Sequence, residues 1–367
     1  MPWNWELPDW PHFHYDPDKT SQLEKKFLMN VGGALAYLKT IESKEYNCFI
    51  VEVLCSEGLE SSKIEGEVLD RKSLQSSIQQ HFGLKGETNK QGEKESRMAE
   101  ILCNVHESFD QPLTHDMLWQ WHAILFKDRP IADCGTYRTH TEPMQIVSNR
   151  HSHKIFFEAP PSAILFQEME KFIAWFNSRN TAEPLLGRAA IAHVYFESLH
   201  PFEDGNGRIG RVLVEKILSQ GIGHPVLMAV SKTLENRKKE YYAALEQCNR
   251  TLKVQDWVEF FSTAVIRAHE ESMHLLYFLI EKSKMMNSLS GNINPRQTKA
   301  LLRMFLEGPS GFKGGLSAEN YIAITKTTKA TATRDLADLV TKGALIKTGE
   351  LRYTRYHLNL KKGALVQ

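Results

Sequence analysis

Between two apolar helical segments the chain reads HPFEDGNGRIGR, from His200 to Arg211. His200 ends the first segment, where an imidazole can take a proton from a hydroxyl near neutral pH. Asp204, Gly205, Asn206 and Gly207 open the second, and the unpaired amides and positive dipole end of a helix start attract anions. Gly205 and Gly207 carry no side chain to obstruct a close backbone approach, so the loop can cradle a phosphate. Arg208 and Arg211 lie three residues apart on the first helical turn, a spacing suited to forked contacts with phosphate oxygens. Asp204 is a hard oxygen ligand suited to Mg²⁺, with waters and phosphates completing the shell. Together these residues make a phosphate-transfer set. The plainer alternative is a charged, glycine-capped turn between helices with an incidental histidine.

The elements around the loop read as mainly helical. Apolar residues recur at helical spacing over Ser21 to Ser43, Cys48 to Gly58, Lys72 to Phe82, Glu93 to Phe109 and HDMLWQWHAILF from His115. The period then fails over TYRTHTEPMQIVSNRHSHKIFFEAPP. Two β-prone runs there, around a polar turn from Ser148 to Ser152, predict a hairpin between Met144 and Glu158. Helices are expected again from Pro160-Pro161 through Phe176, Pro184 to Leu199, Ile209 to Ser219, Asn236 to Cys248 and Gln255 to Lys284. The first eighteen residues, with Trp3, Trp5 and Trp10 among prolines and histidines, read as an irregular arm pinned by its aromatics. A break from Ser288 to Asn294, punctuated by Gly291, Asn292 and Pro295, reads as a linker.

Length and charge bound the rest. The 367 residues allow two or three domains, and the net charge of +1 favours no polyanionic or polycationic partner for the whole chain. The tail from Gly291 onward is different, with 13 Lys and Arg against 5 Asp and Glu. Five cysteines without CxxC spacing argue against a disulfide framework or a zinc site. The N-terminus has no basic start followed by an apolar run, and no stretch of eighteen apolar residues occurs, so a cytoplasmic chain without membrane contact is expected.

HPFEDGNGRIGR resembles the HxFx(D/E)GNGRxxR signature of Fic domains, matching it without a departure. Such domains typically transfer AMP from ATP to a protein hydroxyl. The resemblance implies a mainly α fold: a Fic-type helical core with a β-hairpin flap. It makes His200 the general base and Asp204 the Mg²⁺ ligand. It gives the α phosphate to Asn206 and the Gly205 and Gly207 backbone, the β phosphate to Arg208 and the γ phosphate to Arg211. Phe202 reads as a core anchor, and Glu203 falls at a variable position. GTYR at Gly135 and the segment through Pro160-Pro161 resemble the flap, which registers a target by strand pairing. Tyr241 and Tyr242 lie on a helix that resembles the adenine-contacting one, with core packing an equal alternative.

Upstream, SSKIEG from Ser61 to Gly66 resembles the (S/T)xxxE(G/N) inhibitory motif of many Fic proteins. The resemblance implies that Glu65, with Ser61, pairs with Arg211 and occupies the guanidinium the γ phosphate needs. In some relatives such a glutamate helps water remove AMP from a target, so an inhibitory and a hydrolytic role both stay open. The WNWELPDWP stretch resembles a short uncharacterised domain that often precedes bacterial Fic cores. The basic tail resembles a winged helix-turn-helix, with Thr327, Lys329, Thr331, Thr333 and Arg334 on or near its recognition helix and Arg352 and Arg355 on its wing. DNA contact and protein docking both stay open for it.

The expected domains are residues 1–90 with the inhibitory helix, 91–288 as catalytic core and 289–367 as winged helix. The expected activity is transfer of AMP from ATP to a Ser, Thr or Tyr hydroxyl of a target protein, self-modification included. The alternatives are a nucleotide-sensing DNA-binding regulator, a de-AMPylase, and another nucleotide or phosphate transferase on the same fold. A homodimer is compatible with the resemblance.

Overall fold

The computed structural model describes residues 1–84, 92–127, 129–147, 155–178 and 183–361. The chain forms two compact units, one of Met1–Lys39 and Ile50–Glu270, the other of Thr40–Phe49 and Glu271–Gln367.

The first unit is built mainly from helices α1 (Pro17–Leu38), α2 (Ser43–Ile64), α3 (Arg71–His81), α4 (Glu93–Glu107) and α5 (His115–Phe126). A hairpin of β1 (Gln145–Val147) and β2 (Ile155–Glu158) follows, then α6 (Ser162–Asn177), α7 (Leu185–Leu199), α8 (Asn206–Ile222), α9 (Val230–Asn236), α10 (Lys238–Cys248) and the first part of α11 (Gln255–Ser288), whose residues from Glu271 belong to the second unit. Helix starts follow the side chains available: Asp16, Asp70 and Thr114 each accept a backbone N–H in the first turn of α1, α3 and α5. α7 is buried on nearly every face. A helix without a polar stripe has to be wrapped by others, and α8, α6 and α1 pack around it. Trp257 on α11 donates its indole N–H to the Ala190 carbonyl of α7 at 2.8 Å.

The hairpin pairs Gln145 with Glu158 and Ile146 with Phe157, with a register shift before Val147 and Ile155. Phe157 is buried, whereas Ile146, Val147 and Ile155 stay more than a third exposed. The polar turn expected over residues 148–152 lies outside the described residues. The N-terminal arm packs where its tryptophans reach partners. Trp5 donates to the Glu158 carbonyl at 2.7 Å and Trp10 to Glu168 at 2.8 Å, while Trp3 meets Phe157 edge to face at 5.4 Å.

Two sequence expectations change here. The helix expected from Asn236 to Cys248 is α10 alone, because Arg237 leaves the helical region (φ −121°, ψ 31°). α9 precedes it and, at seven residues, is too short to show a clear period in the sequence: Val230, Ser231, Thr233 and Leu234 are buried, while Lys232 and Asn236 are exposed.

The second unit contains α12 (Pro295–Phe305), α13 (Ala318–Thr325), α14 (Lys329–Thr341) and the hairpin β3 (Leu345–Thr348) with β4 (Arg355–Leu358). Leu316 bridges β4 by exchanging backbone hydrogen bonds with Tyr356. Its core gathers Leu301, Met304, Tyr321, Leu336, Leu339 and Leu345, with others around them. Asp335, buried beneath α12, accepts from Asn294, Arg296 and the Tyr321 hydroxyl at 2.8 to 3.0 Å. Lys329, Thr333 and Arg334 of α14 and Arg352 beyond β3 are exposed.

All five cysteines are free thiols. Among the described residues no helix is long and apolar enough to cross a membrane.

Candidate active site

The loop between α7 and α8 is shaped by its own sequence. His200 closes α7 in the left-handed region (φ 45°, ψ 58°), donating its N–H to the Phe196 carbonyl at 3.0 Å. Phe202 is fully buried and stacks on His122, 4.2 Å between centroids. Asn206 then closes the loop, its amide oxygen accepting from the Phe202 N–H at 2.9 Å and its amide nitrogen donating to the Phe202 carbonyl at 2.7 Å. Gly205 sits at φ 83°, and a Cβ there would approach Phe126 to 2.7 Å and Leu125 to 2.9 Å. Glycine is therefore required both for the backbone angle and for the space.

α8 begins at this turn, so its first amides open toward Gly205 and Gly207. Arg208 and Arg211 are both buried. Asp204 is exposed at the loop edge, its carboxylate accepting from the Gly205 N–H at 2.6 Å and lying 3.7 Å from Arg208. Among the described residues no group of three or more His, Cys, Asp or Glu side chains could hold a metal ion.

The turn after α2 lies against this loop. Glu65 Oε1 accepts from Arg211 Nη2 at 2.8 Å, Ser61 Oγ accepts from Nε at 3.0 Å, and the Ser61 carbonyl accepts from Nη2 at 2.9 Å. A Cβ on Gly207 would come within 2.2 Å of Glu65 Oε1, so the carboxylate lies on the helix start itself. Burial works against the Arg211 charge, and Glu65 beside it more than offsets that.

Burial, helped by the Arg138 charge, pushes the His200 imidazole down to about 4. It is therefore neutral at pH 7 and free to accept a proton. Tyr241 is buried, its hydroxyl paired with His193 Nε2 at 2.8 Å. Tyr242 is 42% exposed and donates to the Ile64 carbonyl at 3.3 Å.

Three contributors escaped the reading of the sequence. Arg138, the last residue of GTYR, is buried and donates to the His200 carbonyl at 2.9 Å, the Pro160 carbonyl at 2.5 Å and Ser162 Oγ at 3.1 Å. It ties the backbone of the base to the segment that leaves the hairpin. Glu197 lies one turn before His200, its carboxylate 4.0 Å from Nδ1. Burial, then the nearby Glu65 charge, pushes its carboxyl up to about 8, so it is mostly protonated at neutral pH. A single carboxylate in a helix whose residues are nearly all buried was the available signal. Glu67, two residues past Glu65, accepts from Arg208 at 2.8 Å.

The comparisons with known proteins agree with this geometry. Residues 3–84 match a domain of unknown function (DUF4172), and residues 112–218 match the Fic/DOC family. The protein adenylyltransferase fic-1 of Caenorhabditis elegans is 26% identical over 151 residues, 41% of this chain and 27% of its own. A probable protein adenylyltransferase of Aquifex aeolicus is 31% identical over 91 residues, 25% of this chain and 26% of its own. The chain thus spans about a quarter of the length of these curated relatives. Among solved structures, a Fic family protein from Desulfovibrio desulfuricans superposes with a TM-score of 0.56 at 19% identity, covering 96% of this chain and 99% of that one. A Fic domain signalling protein from Bacteroides thetaiotaomicron gives a TM-score of 0.51 at 19% identity, over 69% of this chain and 94% of its own. The likeness of fold, the family match and the loop from His200 to Arg211 coincide, and the chain carries a domain of the Fic/DOC family.

Proposed function

We propose that the chain is a protein adenylyltransferase that moves AMP from ATP to a Ser, Thr or Tyr hydroxyl of a target protein. The observation that carries this reading is the convergence of a neutral His200, the amides at the start of α8 and two buried arginines on one loop. The adenylyltransferase names of the relatives support it. The target hydroxyl gives its proton to His200 as its oxygen attacks the α phosphorus. The bond from that phosphorus to the bridging oxygen breaks, and pyrophosphate leaves with the electron pair. The amides at Gly205 and Gly207, in a loop braced by Asn206, face the charge that builds on the α phosphate. Arg208 and Arg211 take the β and γ phosphates. A magnesium ion entering with the nucleotide needs only one or two carboxylates, and Asp204 fits as its ligand. It would neutralise charge between the phosphates. The hairpin, with the exposed Ile146 and Val147 on β1, suits a target segment added as a further strand. Glu65 holds the enzyme inactive by occupying Arg211. A Glu65 that instead activates water for removal of AMP is the rival role for the same carboxylate.

With ATP labelled at the α phosphate, label is expected on target protein or on the enzyme itself. With label at the γ phosphate none is expected. Covalent γ label without α label would make this a kinase-like phosphotransferase instead.

A second reading concerns residues 289–367 as a winged helix that contacts DNA. What favours it is the exposed basic set of Lys329, Arg334 and Arg352 on a tail with a surplus of eight positive charges over Gly291–Gln367. The full chain is then expected to shift duplex DNA at low salt, with affinity falling steeply as salt rises. Arg334→Ala combined with Arg352→Ala should lower both the affinity and the salt slope, each phosphate partner removed taking about one unit from that slope. Absence of binding even at low salt removes this reading and leaves protein docking.

A further inference from the structure

The two acids of one turn meet the two arginines of the loop differently. The turn is set by Gly66 (φ 80°) and by the Glu65 and Glu67 amides, which donate to the Ser62 carbonyl at 3.1 and 2.9 Å. Glu65 takes Arg211 and lies across the helix start. Glu67 takes Arg208 Nη1 with one oxygen at 2.8 Å, while its other oxygen accepts from Arg129 at 2.6 Å and pairs with Lys94 at 3.0 Å. Burial pushes the Glu67 carboxyl up, but the bonds from Arg129 and Lys94 and the Arg208 charge bring it below the usual range. The Phe126 ring backs the cluster, with the guanidinium carbons of Arg208 and Arg129 5.3 and 5.8 Å from its centroid.

Charge separates the two acids. Glu65 and Arg211 cancel, whereas Glu67 stands against three cations, and with Asp204 3.7 Å from one of them a surplus of one positive charge is left. Donor count separates them as well. A guanidinium has five N–H groups in a fixed fork. Glu67 uses an Nη1 hydrogen of Arg208, Nη2 lies 3.7 Å from Asp204, and Nε has no hydrogen-bond partner among the described residues. Arg211, by contrast, gives both Nε and Nη2 to Ser61 and Glu65 and keeps only Nη1 unpartnered among the described residues. The Arg208 fork is therefore held from one side and left with donors to give. Without Glu67, Arg129 and the more exposed, better screened Lys94 would repel the buried Arg208 charge.

Resting on the adenylyltransferase reading above, we infer that Glu67 is a positioning residue, clamped by Lys94 and Arg129, that aims Arg208 at the β phosphate of the nucleotide. It does not compete with that phosphate as Glu65 competes with the γ phosphate. The chemistry it serves is recognition of a nucleotide that carries a β phosphate.

The test uses the full chain in the Glu65→Gly background, with binding of ATP and of AMP measured by calorimetry or competition. Glu67→Gln keeps the shape and removes the charge. ATP affinity is expected to fall about tenfold, the scale of one charge-assisted hydrogen bond, while AMP affinity changes less than about twofold. Glu67→Asp should restore part of the loss. Unchanged ATP affinity overturns the inference, as does an equal loss for ATP and AMP, which would mean simple damage to the site. Tighter ATP binding or faster AMP transfer on Glu67→Gln would make Glu67 a second inhibitor and overturn it too. If the Glu65→Gly parent binds no ATP, the adenylyltransferase reading itself fails and takes this inference with it.

Discussion

Glu65→Gly is expected to raise AMP transfer up to roughly a hundredfold, read as α label incorporated into protein. The size follows from population arithmetic: if the pair keeps the competent state near about 1 in 100, removing it returns nearly the whole population. The pair is well placed for this. Glu65 meets Arg211 at 2.8 Å where the guanidinium is buried, and its carboxylate lies over Gly207, where backbone amides would face a phosphate. Exposed ion pairs contribute little because water competes for both partners, but here one partner is almost wholly out of water. Ser61 binds the same guanidinium through both its hydroxyl and its carbonyl. Ser61 and Glu65 thus take the Nε and Nη2 donors that a γ phosphate would use, leaving Nη1 without a hydrogen-bond partner among the described residues. Unchanged or lower labelling in the variant contradicts the inhibitory role, and a loss of AMP removal with transfer unchanged would assign Glu65 to hydrolysis.

His200→Ala in that released background should lower transfer by about a thousandfold, within the range for loss of a positioned general base. ATP affinity should stay within about twofold, because the imidazole contacts neither arginine nor the amides at the start of α8. The pH profile gives an independent check. An ordinary histidine would lose its basic form as pH falls through about 6.5. Burial and Arg138 hold this one at about 4, so the basic form persists above that value. Below the range near pH 8 where the neighbouring Glu197 titrates, the rate is therefore expected to stay level from about pH 7 down to about 5 and to fall only below it. An acid limb centred near pH 6.5 would mean that the base is another group or that His200 is solvated during turnover. Retained transfer in His200→Ala would remove it as the base.

How much of this could be read beforehand depended on distance along the chain. The loop was legible because its chemistry is local: twelve consecutive residues bring imidazole, carboxylate, glycines and guanidinium groups together whatever surrounds them. The long amphipathic helices were legible by period, and hairpin strands by its failure. The pairing of Glu65 with Arg211 spans 146 positions, and nothing in SSKIEG alone points across that gap; only the likeness to a known inhibitory motif did. Glu67, Lys94 and Arg129 carried no such pointer, and for Arg138 the likeness of GTYR to the flap gave a place but no partner. Each reads in isolation as a solvated charge, and only packing reveals that Arg138 is buried among carbonyls and that three cations share one carboxylate. α9 was lost for a different reason: its seven residues are too few to set a period, although Lys232, Glu235 and Asn236 do share a polar side.

Arg138 has a mechanical consequence. Its guanidinium grips the His200 carbonyl and the Pro160 carbonyl together, so the strand leaving the hairpin and the chain carrying the imidazole are riveted at one point. A polypeptide that pulls or twists the hairpin as it docks loads that rivet directly. On the proposed reading, an acceptor seated on the hairpin would load the backbone of the proton-taking group through this one side chain.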